Sequence, residues 1–267
     1  MRKLIVPVIL LLMLTIWIRP AAAIVYGELD NGRHPSTGLL SVTRSDGSQL
    51  AVCSGILVEH QRAVLTAGHC TALLEDAIAQ SVIQLKDVKV SFDSEHADEK
   101  KLLDVVAIHT HPGFNEARPA SDPHDLGLVI LKNNAPGNVQ PAKLPAEGFL
   151  DKLKLKQKKF NVVGYGAFLD TGDKPSEIKD PDGQRRVAVS GYQKLFDVQL
   201  RLSQNQSHDE GGSCFRDSGG PVFLDDNGTE TLVAIVASGD SACVSMSTNY
   251  RLDIAGSLSF INANLPK

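Results

Sequence analysis

Short apolar stretches recur along most of this chain, each closed by turn-forming residues: 50–58, 62–66, 88–92, 105–108, 126–131, 160–163, 187–189, 221–224 and 232–237. Runs of this length, rich in Val, Ile and Leu and bounded by Gly, Pro, Asn and Asp, predict strands in a mostly antiparallel protein. Two places break the pattern. After Asp253, read as an N-cap, the spacing of Ile254, Leu258, Ile261 and Leu265 draws one apolar stripe and predicts a C-terminal helix over residues 253–265. Lys152, Lys154, Lys156, Lys158 and Lys159 interleave with Leu153 and Leu155, and that alternation predicts the solvated face of a strand. Residues 133–148, rich in Asn, Pro and Gly, divide the chain near its middle and read as a connector between two halves. Residues 170–186 carry Gly, Pro and many charges and read as an exposed loop open to self-cleavage.

The N-terminus changes the picture of where the chain acts. Arg2 and Lys3 precede an apolar segment, residues 4–18, and Ala21, Ala22 and Ala23 supply the small residues of a cleavage site. Residues 1–23 therefore read as a secretory signal, too short to span a bilayer comfortably. No later segment is apolar enough to do so. Removing them takes away Arg2, Lys3 and Arg19 with no acidic residue, so the formal charge moves from −4 to −7. A mildly acidic exported domain with no clustered basic face is not a nucleic-acid binder. Four cysteines in such a chain suggest two bridges, for which sequence alone permits three pairings. No CxxC pair suggests metal.

Three motifs carry chemistry: TAGHC at residues 66–70, HDLGLVIL at 124–131 and GGSCFRDSGGP at 211–221. Hydrolysis by a serine needs a nucleophile, a base to take its proton, and a carboxylate that fixes the tautomer of the base. Ser218, on a glycine-flanked turn, suits the first role, His69 the second and Asp125 the third. A carboxylate heading the apolar run after Asp125 would be costly without a hydrogen-bonding partner, and His69 is the expected one.

With these motifs, in the order His, Asp, Ser, the chain resembles the chymotrypsin-like (trypsin family) serine endopeptidases from Ile24 to the C-terminal helix. The resemblance implies an all-β fold: two six-stranded antiparallel β-barrels, about residues 24–140 and 141–252, with the active site in the cleft between them and a C-terminal helix after them. It implies the bridges Cys53 to Cys70 and Cys214 to Cys243. Ile24-Val25-Tyr26-Gly27 resembles the family's mature N-terminus, whose free α-amino group pairs with the aspartate here numbered Asp217. The predicted signal cut falls directly before Ile24, so signal removal itself would deliver that group. The oxyanion hole would use the backbone N–H groups of Ser218 and Arg216, where relatives usually have glycine in place of Arg216. A bulky residue there either resists the backbone conformation that aims the N–H inward, leaving a partly misformed hole, or simply projects into solvent with its N–H still pointing correctly.

The resemblance also puts Gly212 at the base of the specificity pocket, with Ser213, Ser238, Gly239 and Asn249 around it. Gly212 argues against selection for Arg or Lys, unless Asp240 enters from the far wall. No cofactor and no metal site is expected; calcium at residues 93–99 has too loose a spacing, and His109 with His111 is a weak alternative. The implied partner is a protein or peptide substrate, the protein a monomer, its location extracellular or periplasmic. The short signal, the missing activation peptide and only two bridges resemble a bacterial exported protease. Competing readings are a catalytically impaired homologue that serves as a binding module, supported only by Arg216, and an esterase using the same triad.

Overall fold

The computed structural model describes residues 24–95, 101–115, 117, 124–169 and 178–266. The expected signal segment lies outside the described residues, as do part of the acidic stretch and part of the charged loop after residue 169.

Strands β1 (Glu28–Leu29), β2 (Thr37–Thr43), β3 (Gln49–Leu57), β4 (Ala63–Thr66), β5 (Val88–Ser91), β6 (Leu103–Thr110) and β7 (Gly127–Leu131) come first, with helix α1 (Gly68–Ala79) between β4 and β5. The second half holds β8 (Lys159–Gly164), β9 (Phe168–Leu169), β10 (Ile178–Lys179), β11 (Arg186–Leu195), β12 (Gln199–Ser203), β13 (Pro221–Asp226), β14 (Thr229–Gly239), β15 (Met246–Arg251) and α2 (Ala255–Asn264). The first barrel closes in the order β2-β3-β4-β7-β6-β5 through antiparallel pairing of β2 with β5. The second closes as β8-β11-β12-β15-β14-β13, because β8 pairs with both β11 and β13. The fold is therefore two closed six-stranded antiparallel barrels and a C-terminal helix. β1 lies on β11, so the N-terminal segment is held by the second barrel.

Period two explains how two barrels and the seam between them share one set of strands. Leu57, Val64, Val129 and Leu131 fill the first barrel, while their neighbours Ile56, Leu65, Leu128 and Ile130 face the seam. In the second barrel Val162, Val222 and Leu224 point inward, and Val163 and Phe223 point to the seam. Both faces of these strands are buried, so the runs read as continuous apolar stretches rather than alternating ones. Phe260 and Ile261 of α2 pack on the same seam. Truncating Phe223 to alanine would cost about 3–5 kcal/mol by leaving a cavity there.

Several local expectations are corrected. The lysine run is no strand: residues 150–152 form a 3-10 turn and β8 begins only at Lys159, with Leu155 buried and Leu153 at the surface. Asp253 does not cap α2, whose first turn follows Ile254 without a side-chain cap. Its carboxylate instead accepts the Leu150 N–H at 2.8 Å and pairs with buried Arg251 at 2.8 Å. That pairing ties the start of the second half to its last strand. Of the expected stripe, Ile254, Ile261 and Leu265 pack on the seam beside Phe260, while Leu258 is half-buried and outside that cluster. Among the described residues, no helix is long and apolar enough to cross a membrane.

Candidate active site

β4 runs into α1 with no intervening loop, which sets His69 in the first turn of the helix beside the barrel seam. Cys70 is bridged to Cys53 of β3, so the backbone on either side of the His69 ring is held. Asp125 precedes β7 and is 1% exposed. One of its oxygens accepts the backbone N–H of His69 at 2.8 Å, and both lie near ring Nδ1, at 3.1 and 3.0 Å. A carboxylate oxygen accepts, so Nδ1 is the ring nitrogen that donates to Asp125, which leaves Nε2 as the nitrogen not engaged by it. The ring is 28% exposed.

The second barrel contributes the turn around Ser218, and three contacts clamp that turn to the first barrel. The Ser218 carbonyl accepts the Ser54 N–H at 2.9 Å. The Ser54 hydroxyl approaches the Arg216 carbonyl at 3.3 Å and also accepts the Tyr165 N–H at 3.0 Å. Gly219, at φ +79°, packs so closely on β3 and β4 that an added Cβ would lie 2.1 Å from Thr66 Oγ1. A side chain there would push Ser218 away from the His69 turn. Ser54, wholly buried beside Cys53, was missed by sequence reasoning, and its only signal is that adjacency.

Arg216 is exposed and takes φ 72°, the left-handed conformation that glycine adopts freely. Its peptide plane is nonetheless fixed: the Phe215 carbonyl accepts the Ala167 N–H at 2.7 Å, and no cis peptide occurs among the described residues. The Arg216 N–H, trans to that carbonyl, therefore points away from Ala167. Among the described residues, neither the Arg216 N–H nor the Ser218 N–H has a protein acceptor.

Between them sits Asp217, fully buried. Burial pushes its carboxyl up to about 7, against the two backbone N–H groups, of Cys214 at 2.8 Å and Gly166 at 2.7 Å, that donate to it. Ile24 and Val25 are also fully buried, and Val25 exchanges both backbone hydrogen bonds with Gly212, at 2.9 and 3.0 Å.

A cleft of about 240 Å³ opens beside Ser218, lined by Ser213, Arg216, Val236, Ser238, Gly239 and Cys243 among others. Cys243 is bridged to Cys214. Gly212 lies behind this lining and Asn249 is not part of it: the Asn249 amide is buried in β15, donating to Leu200 O and Ser247 Oγ. Asp240 borders the cleft, but its carboxylate accepts the N–H groups of Val244, Ser245 and Met246. Although burial raises it, those three donors hold it below the usual carboxylate range, so it is spent on its own turn. His111 stacks on His124 and packs on Phe260. The one metal-like cluster among the described residues is His69 with Cys53 and Cys70, whose sulfurs are joined to each other and offer no thiolate.

A family model described as trypsin matches residues 27–253. The chain belongs to the trypsin family. Relatives that it resembles include a CLIP domain-containing serine protease B15 of Anopheles gambiae, 26% identical over 81% of this chain and 62% of that protein. Vitamin K-dependent protein C of Mus musculus is 28% identical over 73% of this chain and 42% of its own length, and mouse serine protease 28 is 24% identical over 72% and 70%. The chain thus spans about half the length of the first two trypsin-family relatives. All three are animal proteins, and nothing among them supports the expectation of a bacterial member.

Proposed function

We propose that the chain is a secreted serine endopeptidase that hydrolyses peptide bonds through an acyl-enzyme. His69 Nε2 takes the proton of Ser218 as its oxygen attacks the scissile carbonyl, then returns that proton to the leaving amine. Asp125 holds the ring in the required tautomer and stabilises the imidazolium. The negative oxygen of the tetrahedral intermediate is received by the N–H groups of Arg216 and Ser218. Water then repeats the sequence on the acyl-enzyme. Cleavage before Ile24 frees an α-ammonium that pairs with Asp217 and orders the turn between those two donors. The peptidase unit is residues 24–267, acting as a monomer outside the cytoplasm.

The observation that carries this reading is the pair of N–H groups that have no protein acceptor among the described residues, on a turn clamped against the barrel that holds the His69 and Asp125 pair. The trypsin-family match, and relatives named as serine proteases, support it. Labelling of the secreted protein with a fluorophosphonate probe tests it. Wild type is expected to label and to cut peptides, and Ser218→Ala to lose labelling and at least about 10⁴-fold in turnover while remaining folded. Labelling that survives Ser218→Ala would show that another residue is the nucleophile.

A further inference from the structure

Glycine at the base of a pocket ordinarily deepens it, because the space of a side chain becomes available to the ligand. Here that space is taken. A Cβ built on Gly212 would lie 2.5 Å from Cγ and 2.6 Å from Cδ of Gln204, and 3.0 Å from its Oε1. Gln204 follows β12, is fully buried, and is anchored by its backbone N–H to Ser245 O at 3.0 Å. Its side-chain Nε2 donates to Ser213 O and Cys243 O, both at 3.0 Å. Those two residues line the cleft beside Ser218. One carboxamide therefore ties the two walls together from behind and fills the volume that Gly212 leaves.

The remaining atom of the carboxamide is uncharged. Gln204 Oε1 is buried and has no hydrogen-bond partner among the described residues. It is a neutral acceptor, so it supplies no counter-charge for an ammonium or guanidinium, and it repels a carboxylate. The nearby Asp240 carboxylate is already bound by three backbone N–H groups.

We propose that Gln204 is the specificity-determining floor of this cleft, limiting the residue on the acyl side of the scissile bond to short, uncharged side chains. The proposal rests on the peptidase reading given above. Gln204 touches the walls rather than the reacting atoms, so it acts as a positioning residue, and the measurement must read selectivity rather than activity alone.

A peptide-library digest read by mass spectrometry, run beside fluorophosphonate labelling, makes the test. Wild type is expected to cut after Ala, Ser, Thr or Val. Gln204→Ala, which removes everything beyond Cβ, is expected to raise kcat/KM for Leu or Phe relative to Ala at that position about tenfold, the scale at which a methylene-sized space discriminates. Gln204→Asn, which withdraws the amide by one methylene, is expected to move the profile the same way by less. Absence of labelling in wild type overturns the peptidase reading itself. Labelling and cutting with an unchanged profile in Gln204→Ala overturns the floor assignment alone, as does a wild-type digest dominated by Arg, Lys, Asp or Glu. If Gln204→Ala fails to label, Gln204→Asn decides by the same criterion; loss of labelling in both makes Gln204 a structural strut and overturns the assignment.

Discussion

Asp30 and Asp217 are both fully buried, yet their carboxyl groups end on opposite sides of the usual aspartate value. For Asp30, burial pushes the pKa up, but His34 Nδ1, the His34 N–H at 3.1 Å and Arg185 Nε at 2.9 Å overcome it and hold the group near 2. His34 reaches on to Glu230 at 3.0 Å, and Arg185 to the carbonyls of Thr37 and Phe92 and to the Tyr165 hydroxyl. For Asp217, burial wins over two backbone donors and the carboxyl rises to about 7. The contrast separates a structural charge from a conditional one. The fold carries its own cations to Asp30. At Asp217 the charge of Arg186 lowers the carboxyl but does not overcome burial, and we propose that its partner in the cleaved protein is the α-amino group of Ile24, which is an uncharged amide for as long as Ala23 precedes it.

The sharpest way to break that comparison is to neutralise each aspartate in turn. Asp217→Asn in the cleaved protein is expected to lower kcat/KM by about 10²–10³-fold, the effect of losing an ordered oxyanion donor, with little loss of stability. Asp30→Asn is expected to do the reverse: about 3–5 kcal/mol of stability lost, because Arg185 and protonated His34 are left buried without their shared partner, and turnover of the folded fraction nearly unchanged. Steady-state kinetics and urea unfolding on the same preparations decide between them. Near-wild-type activity in Asp217→Asn would remove the ion pair from the mechanism.

The pH dependence should differ in sign and window. In a chain that retains Ala23, the folded-state pKa of Asp217 is raised from 3.8 to about 7. Stability linked to it is present below pH 4 and lost as pH rises through 7, on the order of 4 kcal/mol by the size of the shift. Cleavage before Ile24 should abolish that loss. His34 works in another window. Burial lowers its pKa, but Asp30 and Glu230 more than reverse this, to about 9 from 6.5. Its contribution is whole below pH 6.5 and fades as pH rises through 9, in cleaved and uncleaved chains alike. Thermal unfolding of both forms between pH 4 and 10 separates the two, and an uncleaved chain with no slope between pH 4 and 7 would count against a bare Asp217.

The same contrast marks what the sequence made legible. His69, Asp125 and Ser218 sit in short motifs whose residue types suffice to name a chemistry. The Asp30 network does not: Arg185 lies 155 residues from Asp30 in the chain, and His34 on its own reads as any satisfied histidine. Ser54 and Gln204 act through buried backbone contacts, to which no motif points. Strands with both faces apolar, such as β7 and β13, stood out. β2, β12 and β15 did not, because polar residues such as Ser41, Thr248 and Asn249 are buried in them or, like Arg201, interrupt them. Helix α1 was hidden as well: Leu73 is 59% exposed while Leu74 is buried, so its apolar residues mark no single clean face. The lysine alternation misled for a related reason, since period two in a short polar run says little without a neighbouring strand to pair with.

The smallest expected effect concerns Arg216, which the sequence suggested would misform the oxyanion hole. Its φ of 72° is strained for any residue with a Cβ, by about 1–2 kcal/mol relative to glycine. Yet the plane of its peptide is set from outside: Ala167 N–H holds the preceding carbonyl, and Asp217 draws in the Cys214 N–H at the other end of the turn. If Asp217 and not residue 216 governs the turn, Arg216→Gly releases strain without re-aiming the N–H. Stability should rise by about 1 kcal/mol, a gain of roughly 2–4 °C in Tm for a chain of this size. Turnover of small peptide substrates should stay within about twofold of wild type. A several-fold increase in kcat/KM would mean that the Arg216 side chain holds the hole partly closed in the resting protein, and would move control of the turn from the buried aspartate to its exposed neighbour.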